Sequence, residues 1–327
     1  MPKDESVKEV RIAAAARLHL GFLDLHGGLG RKFGGLGLSI DGPATRLRLT
    51  RASASHVKGR EAPRAKILLE KAVAAFAPGA TYDLEIGEAI PAHAGLGSGT
   101  QLALAIAAAV RRMENLSGDA RGDAALMGRG ARSGLGAGLF EDGGFVVDGG
   151  RGAQGPTAPV IARLPFPADW RILLAYDEGA RGLHGEDERE AFAALPAFSP
   201  QAAGDICRHV LMQALPALAD ADLAGFGAAI SHIQRVVGDY FAPAQGGRRF
   251  VSPAVELVVA RLLAAGAVGG GQTSWGPTGF AFVGSEAEAR RLIERHAEKA
   301  QGEGVRLDVV RALERGARVD AVYASVA

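Results

Sequence analysis

The chain has 327 residues, of which 48% are hydrophobic and 22% are charged, and it contains 46 glycines. This composition is typical of a globular, loop-rich protein, and the length is about twice that of one typical domain. The 37 basic and 36 acidic residues leave a net charge of +1, so nothing in the charge predicts nonspecific binding to nucleic acid or to an anionic membrane surface.

The N-terminal residues Met1–Glu5 are charged and lack the apolar core of a signal peptide, and the longest apolar run, Leu102–Val110, is too short to cross a bilayer. We therefore expect a cytoplasmic protein without a membrane partner. Cys207 is the only cysteine, which excludes an internal disulfide and a thiolate metal cluster. The histidines show no H-x-x-x-H spacing, so we expect no structural zinc site.

The first predicted strand, Val10–Ala16, leads into the polar sequence RLHLGFLDL at residues 17–25. Polar residues at the end of a strand are a common place for chemistry. The next run, Gly27–Leu38, carries Arg31 and Lys32 among six glycines. The backbone N–H groups of such a loop can surround phosphate oxygens. Arg31 can then bind an anion through two parallel hydrogen bonds, and Lys32 adds a compact positive charge. A flexible hairpin with solvated bases is the alternative interpretation.

The stretch from Tyr82 to Met113 carries the strongest signal. Residues 82–89 alternate in polarity, which predicts a half-buried strand, and Pro91 closes it. The sequence GLGSGT follows at Gly95–Thr100, and an apolar helix begins there. Glycines allow backbone N–H groups to approach an anion, and a helix N-terminus favours negative charge. We predict a phosphate loop; a plain turn between strand and helix is the alternative.

Two familiar phosphate loops do not fit this stretch. A Walker A loop requires Gly-Lys-Ser/Thr, whereas the sequence here is Gly99-Thr100-Gln101. A dinucleotide fingerprint follows a buried parallel strand, whereas this strand is half polar and its third glycine comes one residue early.

A third glycine segment, GRGARSGLGAGLFEDGGFVVDGG, includes the carboxylates Glu141 and Asp142, which could bind Mg²⁺ or lie in a solvated turn. The sequence Arg151–Pro167 has little periodicity, and we predict the domain junction there, between domains at residues 1–165 and 166–327. The other predicted strands are Thr45–Thr50, Trp170–Tyr176, Ala267–Gly269, Gly279–Gly284, Val305–Arg311 and Arg318–Tyr323. The other predicted helices are Ala62–Phe76, Asp119–Met127, Ala202–Leu218, Leu223–Val237, Pro253–Ala264 and Glu286–Lys299.

The proline-led strand, the GLGSGT loop and the apolar helix resemble the phosphate-binding motif of the GHMP kinase superfamily, with Gly99 in place of a second serine. The N-terminal strand and loop and the late glycine turn at Gly266–Gly279 match the other two signatures of that superfamily in order and spacing. The resemblance implies an α+β fold of two domains, with an N-terminal α/β domain that carries the phosphate loop and a C-terminal ferredoxin-like α+β sandwich.

Two departures from the kinase pattern indicate a different chemistry. The kinases often have Ser-Gly-x-Asp where this chain has Ser133-Gly134-Leu135-Gly136, and their late turn Ser-Gly-x-Gly-x-Gly-Gly is replaced by GGGQTSWGPT at residues 269–278. Without those groups a kinase could neither take the hydroxyl proton nor hold Mg-ATP in the usual way. The segments RLHLGFLDLHGGLGRKFGGLG, SGLGAGLFEDGGFVVDGG, GLHGEDEREAF, QGG and GGGQTSWGPT resemble one branch, the β-ribofuranosylaminobenzene 5′-phosphate synthases.

This resemblance implies a reaction and its ligands. The branch joins phosphoribosyl pyrophosphate to a para-substituted benzoate through a carbon–carbon bond and releases CO₂ and pyrophosphate, with Mg²⁺ and without ATP or an organic cofactor. The substituent, amino or hydroxyl, stays open, and so does the choice between a monomer and a homodimer. A small-molecule GHMP kinase and a non-catalytic sensor of a phosphorylated ligand are the alternative functions.

The chemistry assigns roles to residues of the three glycine segments. We expect a catalytic group in which Asp24 faces the ribosyl cation or holds Mg²⁺, Arg31 binds a phosphate or the benzoate carboxylate, and Arg17 and His19 lie near Asp24. The alternative for Asp24 is that it simply closes a turn. Trp275 could stack on the aromatic substrate or belong to the core. We expect phosphate binding by Gly95, Gly97, Ser98, Gly99, Thr100 and Lys32, substrate binding by Gln272, Thr273, Ser274, Trp275, Glu186 and Gln245, and a possible role of Glu186 as an alternative Mg²⁺ ligand.

Overall fold

The structure is a computed structural model that describes residues 7–153, 155, 157–182 and 185–323, apart from the side chains of residues 186–189. A long antiparallel hairpin of β1 (Val7–Asp24) and β2 (Arg31–Arg51) forms the centre of an eight-stranded sheet. The other strands of this sheet are β3 (His56–Gly59), β4 (Tyr82–Glu88), β5 (Phe145–Asp148), β6 (Arg151–Gly152), β7 (Val160–Leu164) and β12 (Arg318–Tyr323).

The main path of this sheet runs β12-β1-β2-β4-β3, and β5 and β6 pair with the first half of β2. Side chains alternate along β1, where Val10, Ile12 and Ala14 are buried on one face. That face is covered by α1 (Ala62–Phe76) and α2 (Ser98–Met113). Two shorter helices, α3 (Ala120–Leu126) and α4 (Leu135–Asp142), pack beside α2.

The second sheet has four antiparallel strands in the order β11-β8-β10-β9. They are β8 (Arg171–Asp177), β9 (Val268–Gln272), β10 (Thr278–Val283) and β11 (Val305–Val310). The helices of this half are α5 (Gly185–Ala194), α6 (Pro200–His209), α7 (Leu215–Ala219), α8 (Leu223–Phe241), α9 (Pro253–Ala264) and α10 (Glu286–Gly302), with a π-helical turn at Val210–Ala214 and a 3-10 turn at Ala242–Gln245.

One continuous apolar core joins the two halves. Phe226 and Ile230 of α8 pack in the same buried cluster as Leu20 of β1 and Phe282 of β10. A hydrogen bond from Gln234 Nε2 to the carbonyl oxygen of Leu20 (2.8 Å) adds a polar contact across this junction. The last strand, β12, also returns to pair with β1. The predicted fold class, an α+β fold with a phosphate-loop domain and a ferredoxin-like sandwich, is confirmed.

Most predicted elements are present, but several segments differ from their predictions. The run Gly27–Leu38 was expected to be a loop, but β2 begins at Arg31, because its glycines lie where other parts of the chain approach closely. At Gly37, for example, a Cβ atom would lie 2.8 Å from a methyl of Leu139. Helix α4 lies in the third glycine segment and strand β7 in the predicted domain junction, where no element was predicted. The helix expected at Ala202–Leu218 contains the π-helical turn.

None of the helices in the described part of the chain has the length and apolar character that a membrane span requires.

The contact between Gly276 and the Gly95 backbone generates a stability prediction. A Cβ atom at residue 276 would lie 2.3 Å from the backbone nitrogen of Gly95 and 2.3 Å from the carbonyl oxygen of Ala94, and backbone atoms cannot rotate away. We expect Gly276→Ala to lower the free energy of unfolding by about 1–3 kcal/mol, as overpacking does. The measurement is chemical denaturation.

Gly204→Ala is the matched control, because residue 204 lies in exposed α6 with no heavy atom near the added methyl. It should leave stability unchanged or raise it by up to about 1 kcal/mol. Equal stability of both variants and the parent would show that residue 276 is not tightly packed against the loop.

Candidate functional site

The phosphate loop, Gly95–Thr100, enters α2 through two left-handed glycines. Gly95 and Gly97 have φ angles of 78° and 80°, a conformation that glycine adopts without a steric penalty. Gly97 is the N-cap of α2, and its carbonyl accepts hydrogen bonds from the N–H groups of Thr100 and Gln101. Ser98 and Gly99 line an open cleft of about 490 Å³. The first N–H groups of a helix have no intrahelical acceptor, so this cleft suits an anion.

Three arginines line the same cleft, and two of them were not predicted. Arg17 comes from β1, Arg64 from the first turn of α1, and Arg129 from the segment after α3. Arg17 donates from a terminal nitrogen to the carbonyl oxygen of Gly95 (2.7 Å), so it also supports the loop. The cleft is therefore strongly positive although the whole chain is almost neutral.

Arg129 is held in an unfavourable environment. Its Nε is buried and has no hydrogen-bond partner among the described residues. Burial, and then the positive charge of Arg64, lower the pKa of Arg129. The carboxylate near Arg64 is Glu61, at 3.8 Å. Two guanidinium groups that line one cleft beside a helix N-terminus would be stabilised by a bound anion with several oxygens.

The glycine at position 99 makes room for Arg64. A Cβ atom on Gly99 would lie 2.2 Å from a terminal nitrogen of Arg64 and 3.4 Å from one of Arg129. The serine found here in the kinase motif would therefore displace the Arg64 guanidinium. The replacement of the kinase serine by Gly99 therefore leaves the space that the Arg64 guanidinium occupies.

Gly136, which replaces the kinase aspartate, faces the phosphate loop. A Cβ atom on Gly136 would lie 2.6 Å from the methyl carbon of Thr100. An aspartate could not enter this position unless Thr100 moved. The neighbouring carboxylate Asp148 is buried and accepts hydrogen bonds from the Ser133 hydroxyl and from the N–H groups of Gly134 and Gly150. Burial raises the pKa of Asp148, and these bonds oppose the rise.

Thr273 joins the loop to both halves of the molecule. Its hydroxyl accepts from the backbone N–H of His19 (2.8 Å) and donates to the carbonyl oxygen of Gly95 (3.0 Å). Thr273 is fully buried, so its role is to position the loop. The next residue, Ser274, has a φ of 56° and lines the cleft.

Trp275 is a core residue at the margin of the cleft. Its side chain is 3% exposed and its ring packs 4.4 Å from that of Phe241 and 5.3 Å from that of Phe192. Of the two interpretations made from the sequence, this placement supports the core tryptophan. Gln272 Nε2 donates to Gln245 Oε1 (2.7 Å), so these two side chains lie together, and their role in substrate binding stays a prediction.

His19 is buried and uncharged. Burial, followed by the charge of Arg17, lowers its pKa from 6.5 to about 3. Its ring lies 4.5 Å from Phe22, and Nε2 has no partner among the described residues. Gln272 and Gln245 line the same small cavity. A neutral imidazole there can exchange a hydrogen bond with a ligand, but it does not supply a positive charge.

Asp24 and Arg31 occupy the other end of the hairpin. The Asp24 Oδ1 accepts from the N–H groups of His26 (2.6 Å) and Gly27 (2.9 Å), which closes the turn. Arg31 donates to the carbonyl oxygens of Gly149 and Gly150. The expected proximity of Arg17 and His19 to Asp24 is wrong, because β1 is extended and five or more residues along it span roughly 15 Å or more.

Lys32 lies with Asp24 rather than with the phosphate loop. It is exposed, its Nζ lies 5.7 Å from the centre of the Phe33 ring, and it lines a separate pocket. The side chain of Glu186 lies outside the described residues, although the backbone of Gly185 at the start of α5 lines the phosphate cleft. The roles assigned to these residues stay predictions.

Two places in the described structure could hold a metal ion, namely the cleft beside Glu61 and a cluster of three side chains on α6 and α8. Glu61 is the carboxylate that lines the cleft among its described residues, and Mg²⁺ commonly binds through one or two carboxylates together with substrate phosphates. Ligand atoms of Asp205, His209 and His232 also lie within 4.8 Å of one another on α6 and α8. Their two nitrogen ligands suit a transition metal better than Mg²⁺. Arg235 donates to His232 Nδ1, which opposes a bound cation.

Comparison with known proteins places this site in a family context. The model of the GHMP kinase N-terminal domain matches residues 64–139, which include Arg64, Arg129 and the phosphate loop, and that of the C-terminal domain matches residues 214–301. A beta-ribofuranosylphenol 5′-phosphate synthase from Archaeoglobus fulgidus is 33% identical over 95% of this chain and 99% of its own length. A protein of the same name from Methanothermobacter thermautotrophicus is 32% identical over 85% of this chain and 89% of its own length.

Solved structures extend the similarity at the level of the fold. Homoserine kinase from Cytophaga hutchinsonii superposes with a TM-score of 0.66 at 16% identity and covers 98% of this chain and 100% of its own. Mevalonate diphosphate decarboxylase from Staphylococcus aureus superposes with a TM-score of 0.67 at 14% identity over 96% of this chain and 98% of its own.

The arginine pair predicts a binding experiment. We expect Arg64→Ala and Arg129→Ala each to weaken the binding of inorganic pyrophosphate, measured by isothermal titration calorimetry, by about tenfold to a hundredfold, because each removes charge-assisted hydrogen bonds. Arg290→Ala, on exposed α10, is the control and should bind as the parent does. Unchanged affinity in both cleft variants would contradict an anion site.

The buried, neutral His19 predicts a pH effect on stability. Its folded pKa of about 3 lies below the usual 6.5, so between these values the unfolded chain binds a proton that the folded chain does not. The free energy of unfolding should fall by up to about 1.4 kcal/mol per pH unit below pH 6.5 because of this residue. Urea denaturation at pH 7, 6 and 5 should show a smaller loss for His19→Asn than for the parent or for the exposed control His56→Asn. Equal losses would contradict a buried neutral imidazole.

Proposed function

This chain belongs to the beta-ribofuranosylphenol 5′-phosphate synthase family, and we propose that it transfers the phosphoribosyl group of phosphoribosyl pyrophosphate to a para-substituted benzoate, with loss of CO₂ and pyrophosphate. The observation that carries the proposal is the pair Arg64 and Arg129, which both line the cleft at the N-terminus of α2, where the charge of Arg64 lowers the pKa of Arg129. A phosphorylated sugar with a diphosphate leaving group supplies the oxygens and the negative charge that this cleft requires.

The phosphate cleft holds the donor. The backbone N–H groups of the first turn of α2 bind phosphate oxygens, and the hydroxyls of Ser98 and Thr100 donate to them. The arginines stabilise the pyrophosphate more strongly as it leaves, because negative charge then builds up on it. Preorganised positive groups of this kind lower the barrier, since no reorganisation is needed during the reaction.

The chemistry of the acceptor explains the release of CO₂. Departure of pyrophosphate leaves positive charge on C1 of the ribose. An electron-donating para substituent raises electron density at the ring carbon that bears the carboxylate, and this carbon attacks the ribose. The new carbon–carbon bond makes the ring cationic, and cleavage of the bond to the carboxylate returns the electron pair to the ring and releases CO₂. These steps need neither ATP nor an organic cofactor.

The chain supplies the remaining groups. The Oδ1 of Asp24 is engaged by two N–H groups of its turn, which leaves Oδ2 to face the ribosyl cation. Mg²⁺, when bound, neutralises charge on the pyrophosphate, and Glu61 of the cleft would hold it together with phosphate oxygens. Asp24, expected from the sequence as a possible Mg²⁺ ligand, does not line this cleft. Bound donor and acceptor must displace water from the cleft, because water would otherwise capture the sugar cation.

The name of the curated relatives bears on the para substituent. Their product is a ribofuranosylphenol phosphate, and we propose 4-hydroxybenzoate as the preferred acceptor, with 4-aminobenzoate as the alternative. A kinase function is disfavoured by Gly136 and Thr100, because the loop methyl fills the space of the missing aspartate. We further propose that the enzyme acts in tetrahydromethanopterin-type pterin biosynthesis and is cytoplasmic.

The reaction predicts a strict stoichiometry. With phosphoribosyl pyrophosphate, Mg²⁺ and carboxyl-labelled 4-hydroxybenzoate, we expect one labelled CO₂ and one pyrophosphate for each product molecule. Release should stop when the donor is omitted or when EDTA removes the metal. Release of labelled CO₂ without the donor would contradict the proposal. Transfer of the γ-phosphate of ATP to homoserine or mevalonate would contradict it as well.

A further inference from the structure

A second pocket lies at the turn end of the hairpin, and the phosphate-binding groups do not line it. This aromatic pocket, as we call it, has a volume of about 280 Å³, and its walls are formed by Leu25, Phe33, Phe192 and Tyr240. Pockets for drug-sized ligands usually have volumes of roughly 300–1,000 Å³. The aromatic pocket is smaller, so it suits a ligand with a single ring.

The charged groups of this pocket are both positive. Lys32 and Arg132 line it, and its described lining residues include no carboxylate. The Lys32 Nζ lies 5.7 Å from the centre of the Phe33 ring, and the Arg132 guanidinium lies 4.6 Å from that of Phe192. Each cation thus lies over the face of one ring of the pocket wall. Apolar walls that carry two cations fit an aromatic ring with a carboxylate.

The backbone holds one wall in an unusual conformation. Phe33 has a φ of 74°, which is an outlier for a bulky residue and commonly marks a functional position. Across the hairpin Phe33 pairs with Asp24, so the proposed catalytic carboxylate lies on the strand next to the pocket. The Tyr240 hydroxyl donates to the carbonyl oxygen of Pro196 (3.0 Å), which fixes the opposite wall.

The aromatic pocket adjoins the phosphate cleft. The ring of Phe192, a wall of the pocket, lies 5.3 Å from the ring of Trp275, which lines the cleft. Arg129 of the cleft and Arg132 of the pocket belong to one short segment. A donor held by its phosphates in the cleft can therefore present its sugar toward a ring held in the pocket.

We propose that the aromatic pocket binds the benzoate substrate and that Lys32 recognises its carboxylate. This inference rests on the proposed function and assigns the acceptor subsite within it. It replaces the placement of the aromatic substrate against Trp275, whose ring is buried among other rings. Lys32, expected from the sequence to bind phosphate, would bind the carboxylate of the benzoate instead.

The test compares an acid with its neutral analogue. We expect Lys32→Met to raise the KM for 4-hydroxybenzoate by about tenfold, because a charge-assisted hydrogen bond is lost, and to leave the KM for phosphoribosyl pyrophosphate unchanged. Calorimetry should show that the parent binds 4-hydroxybenzoate more tightly than 4-hydroxybenzamide and that Lys32→Met abolishes this preference. Lys32→Arg should keep it. Lys66→Met, which alters a lysine on the separate cleft between β3 and α1, is the matched control.

The outcomes separate the two proposals. If the parent makes product and Lys32→Met keeps both the KM for the benzoate and the preference for the acid, the pocket assignment is wrong and the reaction stands. If the parent neither binds the benzoate nor releases CO₂ from it, the proposed function fails and this inference fails with it. Because Lys32 is exposed, its replacement should not disturb folding, and thermal denaturation verifies this.

Discussion

The position of the phosphate loop depends on a backbone contact between Gly95 and Gly276, which lie almost two hundred residues apart in the sequence. No side chain separates the two segments, and the Thr273 hydroxyl and the Arg17 guanidinium both hydrogen bond to the Gly95 carbonyl. The loop is therefore fixed by groups from both halves of the molecule. The apolar core that is continuous between the halves opposes relative motion of the two, which would open the anion site.

The positive charge of the cleft depends on this fixed position of the phosphate loop. Arg64 and Arg129 are brought together by α1 and by the segment after α3, and the glycine at position 99 leaves space for the first of them. Like charges held close in a partly buried site destabilise the free protein and strengthen its binding of an anion. Neighbours with the same fold, such as homoserine kinase, show that this architecture supports more than one chemistry, so the function must be argued from these side chains.

The sequence could predict the elements but not the way in which they meet. Helices α1 and α9 agree with their predictions at both ends, because their apolar periodicity and terminal residues are local signals. The first half of strand β2 was not predicted, because its glycines are required by contacts with distant residues such as Leu139, whereas the second half was predicted as Thr45–Thr50. Arg64 and Arg129 were missed because nothing in their local sequence shows that the fold brings them together. The replacement of the kinase serine by Gly99 was the one sign of the arginine pair in the sequence. It could be interpreted only once the structure placed Arg64 of α1 against Gly99.

The central claim is that this cleft serves the formation of a carbon–carbon bond at the ring carbon that carried the carboxylate. Carbon-13 NMR tests it directly, with phosphoribosyl pyrophosphate labelled at C1 of the ribose and 4-hydroxybenzoate labelled at the ring carbon bearing the carboxylate. The account predicts a product with a one-bond coupling between the two labelled carbons. A product in which the ribose is linked through oxygen, or in which the labelled ring carbon still carries its carboxylate, would contradict it.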